Sequence, residues 1–144
     1  MEYISIAISA LAIIISVVSY IVNVQHDRKK DTLDAFNRLQ EQAFDKLNLL
    51  MPKEIEEIVK HPTSPEYKEL SGYVARIEHF CVGVNQEIYD RKTVYALAHG
   101  YLDGKQILGR ITPMIEKKNR SGDDYYENIH KVLGWMKRKS GEHT

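Results

Sequence analysis

The stretch ISIAISALAIIISVVSYIVN, residues 4–23, decides the fold of this chain. Residues 3–25 contain no Lys, Arg, Asp or Glu, and most of them are Ile, Val, Leu or Ala. An apolar run of about 19 residues would span about 28 Å as a helix, which is close to the hydrocarbon thickness of a bilayer. The sequence therefore predicts a transmembrane helix within residues 1–25.

The flanks of this run argue for a retained span and predict its orientation. A cleaved signal peptide would begin with basic residues and carry a shorter apolar core, whereas this chain opens Met1-Glu2-Tyr3. Arg28, Lys29 and Lys30 follow the run, and positive flanks stay in the cytoplasm. We expect the N-terminus outside, residues 26–144 in the cytoplasm, and these three cations at anionic lipid headgroups.

Small and polar residues recur within the apolar run at helical spacing. They are separated by four, three, four, three and four positions, and they are Ser5, Ser9, Ala12, Ser16, Ser19 and Asn23. Such a stripe suits close packing of helices in lipid, so we expect a homo-oligomer in which it is buried or lines a pore. The alternative is that each serine is merely tolerated, because its hydroxyl can bond to its own helix backbone.

The remaining sequence predicts an all-α protein. No Gly or Pro occurs before Pro52, so the span should continue into a juxtamembrane helix over residues 26–51. Its exposed apolar residues, Leu33, Phe36 and Leu47, would extend the contact between copies. Residues 52–144 show helical spacing without period-two alternation and predict a cytoplasmic bundle of four or five helices. Asp90 and Thr93 should cap one of these helices, and Pro113 should bend another or start it afresh.

Signs of catalysis are few. The sequence has no phosphate-binding loop, nucleophile elbow or HExxH pair, and its single cysteine, Cys81, excludes an internal disulfide. We predict no cofactor and no metal site. Twenty basic and twenty acidic residues balance, which speaks against a dedicated nucleic-acid binder. The one spacing to weigh is Arg138 and His143, since HEPN-class ribonucleases carry an arginine and a histidine four to six residues apart; a basic tail beside a chance histidine is the alternative.

Residues 76–84 (RIEHFCVGV) and 88–90 (IYD) resemble a bacterial family of small single-pass membrane proteins, the DUF4760-like domain of unknown function. Tyr101, residues 113–116 (PMIE), residues 125–127 (YYE) and Trp135 also fit that pattern. The resemblance covers roughly residues 4–138 and implies that the protein is located in a bacterial inner (plasma) membrane.

This family is similar in layout to the pore-forming membrane accessory protein of type VI-B CRISPR systems, which joins a span to a HEPN-like helical domain. The resemblance implies a multimeric membrane effector or pore subunit of antiviral defence, with a protein or RNA partner from that system. A membrane-tethered HEPN-like ribonuclease and a non-enzymatic membrane scaffold remain the alternatives. Gly141 lies between Arg138 and His143 and would interrupt the helix that presents them, which argues against catalysis.

Overall fold

A computed structural model of the chain describes residues 2–102, 107–119 and 125–141, and within these ranges the protein is all-helical with no strand. The prediction of an all-α fold, with a long N-terminal helix ahead of a helical bundle, is confirmed. The helices are α1 (Glu2–Leu39), a π-helical turn (Gln40–Phe44), α2 (Asp45–Leu49), α3 (Pro52–Lys60), α4 (Pro65–Asn85), α5 (Arg91–Leu102), α6 (Leu108–Asn119) and α7 (Glu127–Gly141).

The N-terminal helix runs from the apolar stretch directly into the core of the bundle. The π-helical turn joins α1 to α2 without a break, so residues 2–49 form one helical rod. From Thr32 onward one face of this rod is buried in the bundle. The buried residues of this face are Thr32, Phe36, Leu39, Ala43, Phe44 and Leu47. The juxtamembrane helix is thus a core element of the bundle.

This packing corrects one expectation about the juxtamembrane helix. Phe36 is 3% exposed and Leu47 is fully buried, so neither can extend a contact between copies. Both side chains repeat at helical spacing because they face the chain's own bundle. Leu33 is 42% exposed and remains available.

Arg110 of α6 caps the C-terminal end of the helical rod. Leu50 is extended and carries no glycine-type cap. Instead Arg110 Nη1 lies 3.3, 3.2 and 3.0 Å from the carbonyl oxygens of Leu47, Asn48 and Leu50. The Leu47 carbonyl also accepts from the Leu50 N–H at 3.2 Å, so Arg110 adds a second donor there and supplies the partner of the other two carbonyls. A cation also suits the negative pole of the helix dipole.

Helix α4 is the centre of the bundle and packs against α7 and the C-terminal part of the rod. Its buried face consists of Leu70, Val74, Ile77, Phe80, Cys81, Gly83 and Val84. Glu78 on its flank accepts hydrogen bonds from the backbone N–H groups of Asn128 (3.1 Å) and Ile129 (2.9 Å). Glu78 therefore caps the start of α7 from a different helix.

Two local expectations had different outcomes. Asp90 Oδ2 accepts hydrogen bonds from the backbone N–H (2.9 Å) and hydroxyl (2.7 Å) of Thr93, which confirms Asp90 as the cap of α5. A fresh helix start at Pro113 is wrong, because α6 runs through it from Leu108 to Asn119. Burial of Ile111, Met114 and Ile115 on either side of Pro113 holds the helix together.

Candidate functional site

The apolar part of α1 lies outside the bundle. Every side chain from Ile4 to Gln25 is exposed, including Ile6, Ile13 and Tyr20 at more than 60%. Within the described residues, this is the one helix that is long and apolar enough to cross a membrane, judged by length and composition. A contiguous apolar surface of this size on a soluble monomer would be a liability, so it needs a cover such as lipid or another chain.

The stripe of small and polar residues occupies one side of this exposed helix. At about 100° of rotation per residue, Ser5, Ser9, Ala12, Ser16, Ser19 and Asn23 point within about 40° of a common direction. The Ser9 hydroxyl donates to the Ser5 carbonyl at 2.9 Å, the bond by which a serine is tolerated in lipid. Within the described part of the chain, the hydroxyls of Ser16 and Ser19 have no such partner.

The stripe and the bundle lie on opposite sides of α1. By the same count, Arg28, Thr32, Phe36 and Leu39 point roughly 180° from the stripe. These are the residues through which α1 contacts the bundle. A second helix could therefore pack along the stripe without meeting the bundle of its own chain.

Two residues of α1 fasten the helix to the turn between α4 and α5 just beyond the apolar segment. Arg28 Nη2 donates to the carbonyls of Glu87 and of Tyr89, the latter at 3.4 Å. Thr32 is fully buried; its hydroxyl donates to the Arg28 carbonyl (2.6 Å) and accepts from the Asp90 N–H (2.8 Å). We call these contacts of Arg28 and Thr32 with residues 87–90 the junction.

The three residues predicted to contact lipid headgroups lie at or next to this junction, and they differ in exposure. Lys29 and Lys30 are exposed, whereas Arg28 is half-buried and its guanidinium is engaged by the turn. A headgroup contact at all three residues stays a prediction. The structure adds a second task for Arg28, which is to fix the bundle to the helix.

The turn of the junction depends on Gly83. A Cβ on Gly83 would lie 2.4 Å from the ring of Tyr89, so that ring occupies the space that any other residue needs. The Tyr89 ring stacks on Phe80, with centroids 5.1 Å apart. The Gly83 carbonyl accepts from the Ile88 N–H at 3.0 Å, and Glu87 takes a positive φ of 59° between them. Residues 80–90 thus form a packed turn that presents its carbonyls to Arg28.

Sequence reasoning missed most of the junction. Thr32 gave no signal, because a threonine in a charged stretch looks solvent-exposed. Residues 76–84 and 88–90 were singled out only for their resemblance to a family pattern. Their physical role, which is the packing of Tyr89 on Gly83, needs the fold to be seen.

A comparison with family models identifies the family. The model described as "Domain of unknown function (DUF4760)" matches residues 6–135. The chain belongs to the DUF4760 family. Neither the comparison with curated proteins nor that with solved structures found a match. The DUF4760 match covers the apolar helix, the junction and most of the bundle, so the family pattern extends over the candidate membrane-spanning helix as well as the bundle.

The candidate ribonuclease pair lies beyond the part matched by the DUF4760 model. Arg138 is exposed near the end of α7, and His143 lies outside the described residues. The pairing of the two side chains therefore stays a prediction. No group of three or more His, Cys, Asp or Glu that could hold a metal ion occurs among the described residues. Cys81 is fully buried, and burial raises the pKa of its thiol above the ordinary range.

Proposed function

We propose that this DUF4760 protein is an oligomeric single-pass membrane protein, a membrane effector or pore subunit. Residues 4–24 span the bilayer with the N-terminus outside and residues 26–144 in the cytoplasm. The observation that carries the proposal is the placement of the small-residue stripe on the side of α1 opposite the bundle. Copies associate along the stripe while their bundles point away from the shared axis.

Physical chemistry favours the stripe as the contact between copies. In lipid, apolar side chains gain little from contact with one another, so close packing and polar contacts between helices decide association. Ser16 and Ser19 keep their hydroxyls available for a neighbour. In a dimer or trimer the stripe is buried, whereas in a larger ring it faces a lumen that Ser16, Ser19 and Asn23 can hydrate. We further propose that this effector acts in antiviral defence. That part of the proposal rests on the similarity in layout to the pore-forming membrane accessory protein of type VI-B CRISPR systems.

The first test is the molar mass of the full-length protein in a non-ionic detergent, measured by light scattering with the detergent contribution subtracted. We expect a single species of several copies. Six or more copies would support the pore, and ion flux through vesicles containing the protein would then be measured. Two or three copies would support an oligomer without a lumen, and a monomer would refute the proposal.

Matched variants separate the stripe from the rest of the helix. Ser16→Leu with Ser19→Leu adds bulk on the stripe, and we expect it to reduce the copy number. Ala7→Leu with Ala10→Leu adds similar bulk on the opposite side of the helix and should leave the copy number unchanged. Equal effects of the two double variants would contradict a contact along the stripe.

A further inference from the structure

A groove between α1 and α4 has the lining of a binding site. Its volume is about 570 Å³, within the roughly 300–1,000 Å³ typical of small-molecule sites. One wall is formed by Ala35, Arg38, Leu39 and Gln42, and the other by Gly72, Ala75, Arg76, His79 and Phe80, with Tyr89 at one end. None of these described lining residues is acidic.

The two arginines of the groove keep donors available. Arg38 uses only its Nε, which donates to the Asp34 carbonyl at 3.3 Å in its own helix. Arg76 makes no hydrogen bond or ion pair with any described residue. Its guanidinium lies back over Gly72, where an added Cβ would be 3.4 Å from Nη1. One guanidinium therefore lines each wall, and neither is neutralised by a carboxylate.

The rest of the lining suits the body of an organic ligand. Leu39 and Phe80 are buried apolar residues at the base of the groove, and Phe80 stacks on Tyr89. Gln42 lies in the π-helical turn, the one departure from regular helix in residues 2–49. Such turns are frequent at functional sites, because they place side chains that a regular helix would not.

We propose that this groove binds a soluble organic phosphate of nucleotide size, with its phosphate on Arg38 and Arg76 and its apolar face on Leu39 and Phe80. Guanidinium groups match phosphate oxygens in pairs, and a phosphate carries the charge of close to −2 that two arginines call for. His79 adds a third polar group on the α4 wall. The groove is separate from Arg138, which lies on α7.

The distance from the membrane excludes a lipid headgroup as the phosphate. With residues 4–24 spanning the bilayer as proposed above, Arg38 lies 14 residues beyond Val24, which is about 21 Å along the helix. The polar layer on each side of a bilayer is only about 5–8 Å thick. The ligand must therefore come from solution.

The test is isothermal titration of the full-length protein in non-ionic detergent, without magnesium, with ATP, GTP, CTP, UTP and inorganic triphosphate as probes. We expect saturable binding of at least one nucleotide and weaker binding of triphosphate, which leaves the apolar base unused. The proposal would be overturned if none of the four nucleotides bound saturably at concentrations up to about 1 mM. A Kd of that size corresponds to a binding free energy of only about −4 kcal/mol. Equal affinity for triphosphate would overturn the role given to the apolar base.

Variants locate the binding and have matched controls. Arg38→Gln and Arg76→Gln should each weaken binding by about tenfold or more, since each removes a charge-assisted contact. Lys68→Gln removes an exposed charge elsewhere on α4 and should leave binding unchanged. Ala75→Phe fills the groove and should abolish binding, whereas Ala96→Phe on exposed α5 surface should not. Binding that survives all three groove variants would place the ligand elsewhere. Titration is independent of copy number, so failure here and failure of the oligomer proposal are distinguishable.

Discussion

Gly83→Ala and Gly100→Ala replace two helical glycines and should change stability in opposite directions. In a helix interior, alanine is favoured over glycine by about 1 kcal/mol. At Gly100 an added Cβ meets nothing within 4 Å, so that gain should be realised almost fully. At Gly83 the Cβ would lie 2.4 and 2.8 Å from two carbons of the Tyr89 ring, about 0.7–1.1 Å inside ordinary contact at about 3.5 Å.

The Tyr89 ring has little freedom to move away from an alanine at position 83. It stacks on Phe80, and its backbone is held by the Gly83 carbonyl and by Arg28. Overpacking typically costs about 1–3 kcal/mol, and a lost aromatic pair about 0.5–1.5 kcal/mol more. After the helix gain of about 1 kcal/mol, we expect Gly83→Ala to destabilise by about 0.5–3.5 kcal/mol and Gly100→Ala to stabilise by about 0.5–1 kcal/mol.

Thermal unfolding of the full-length protein in detergent measures both variants. The fluorescence of Trp135, the one tryptophan of the chain, reports on the bundle. For a bundle of about 100 residues, 1 kcal/mol corresponds to about 4–8 °C in Tm. Adding Tyr89→Leu to Gly83→Ala should recover part of the loss, because the clash is removed. A Gly83→Ala protein as stable as the wild type would refute the reasoning.

Three further predictions concern the junction and the core. Thr32→Val leaves the part-buried Asp90 N–H without its acceptor and should cost about 1–2 kcal/mol in thermal unfolding, while Thr32→Ser, which keeps the hydroxyl, should cost less; equal losses would contradict the hydrogen-bond argument. The side-chain and backbone hydrogen bonds from Thr93, with smaller help from Lys29 and Arg28, hold the pKa of Asp90 below its ordinary value, so its stabilisation is present above about pH 4 and is lost as the pH falls through the lower folded pKa. Asp90→Asn, which retains a capping side chain, should flatten the dependence of Tm on pH between about 5 and 2, and an unchanged slope would assign it to other groups. Burial raises the pKa of the Cys81 thiol, so we expect a thiol reagent at about pH 8 to label it only after denaturation, and rapid labelling of the native protein would contradict its burial.

Regular features of the fold were predictable because they rest on local periodicity. The apolar run, the absence of Gly and Pro before Pro52 and the spacing of Leu70, Val74 and Ile77 gave helices α1 and α4 directly. Pro52 was predicted to begin a helix and is the first residue of α3, whereas Pro65 was assigned to a loop and is in fact the first residue of α4. Proline is favoured at that position because the missing N–H is not needed there.

Features that depend on contacts between distant segments were not predictable. Phe36 and Leu47 looked like an exposed apolar stripe, since a single sequence does not show which face of a helix meets its own bundle. No sequence pattern marked Glu78 or Arg110 as a cap, yet Glu78 caps α7 and Arg110 caps α2. The groove brings together residues that lie more than 30 positions apart in the sequence, namely Arg38 and Arg76, and no local pattern links them.

With α1 spanning a bilayer as proposed, the unbroken helix between the apolar segment and the core would make the bundle respond to bilayer thickness. The 17 residues from Asn23 to Leu39 extend about 24 Å and contain no Gly or Pro at which the helix could flex. Transmembrane helices adjust to a thinner or thicker bilayer by tilting, commonly by about 20°. A tilt of that size would carry the C-terminal end of α1 sideways by about 8 Å. The bundle is fastened to α1 at Thr32 and would move with it. In the proposed oligomer, lipid composition alone would thus alter the spacing between neighbouring bundles.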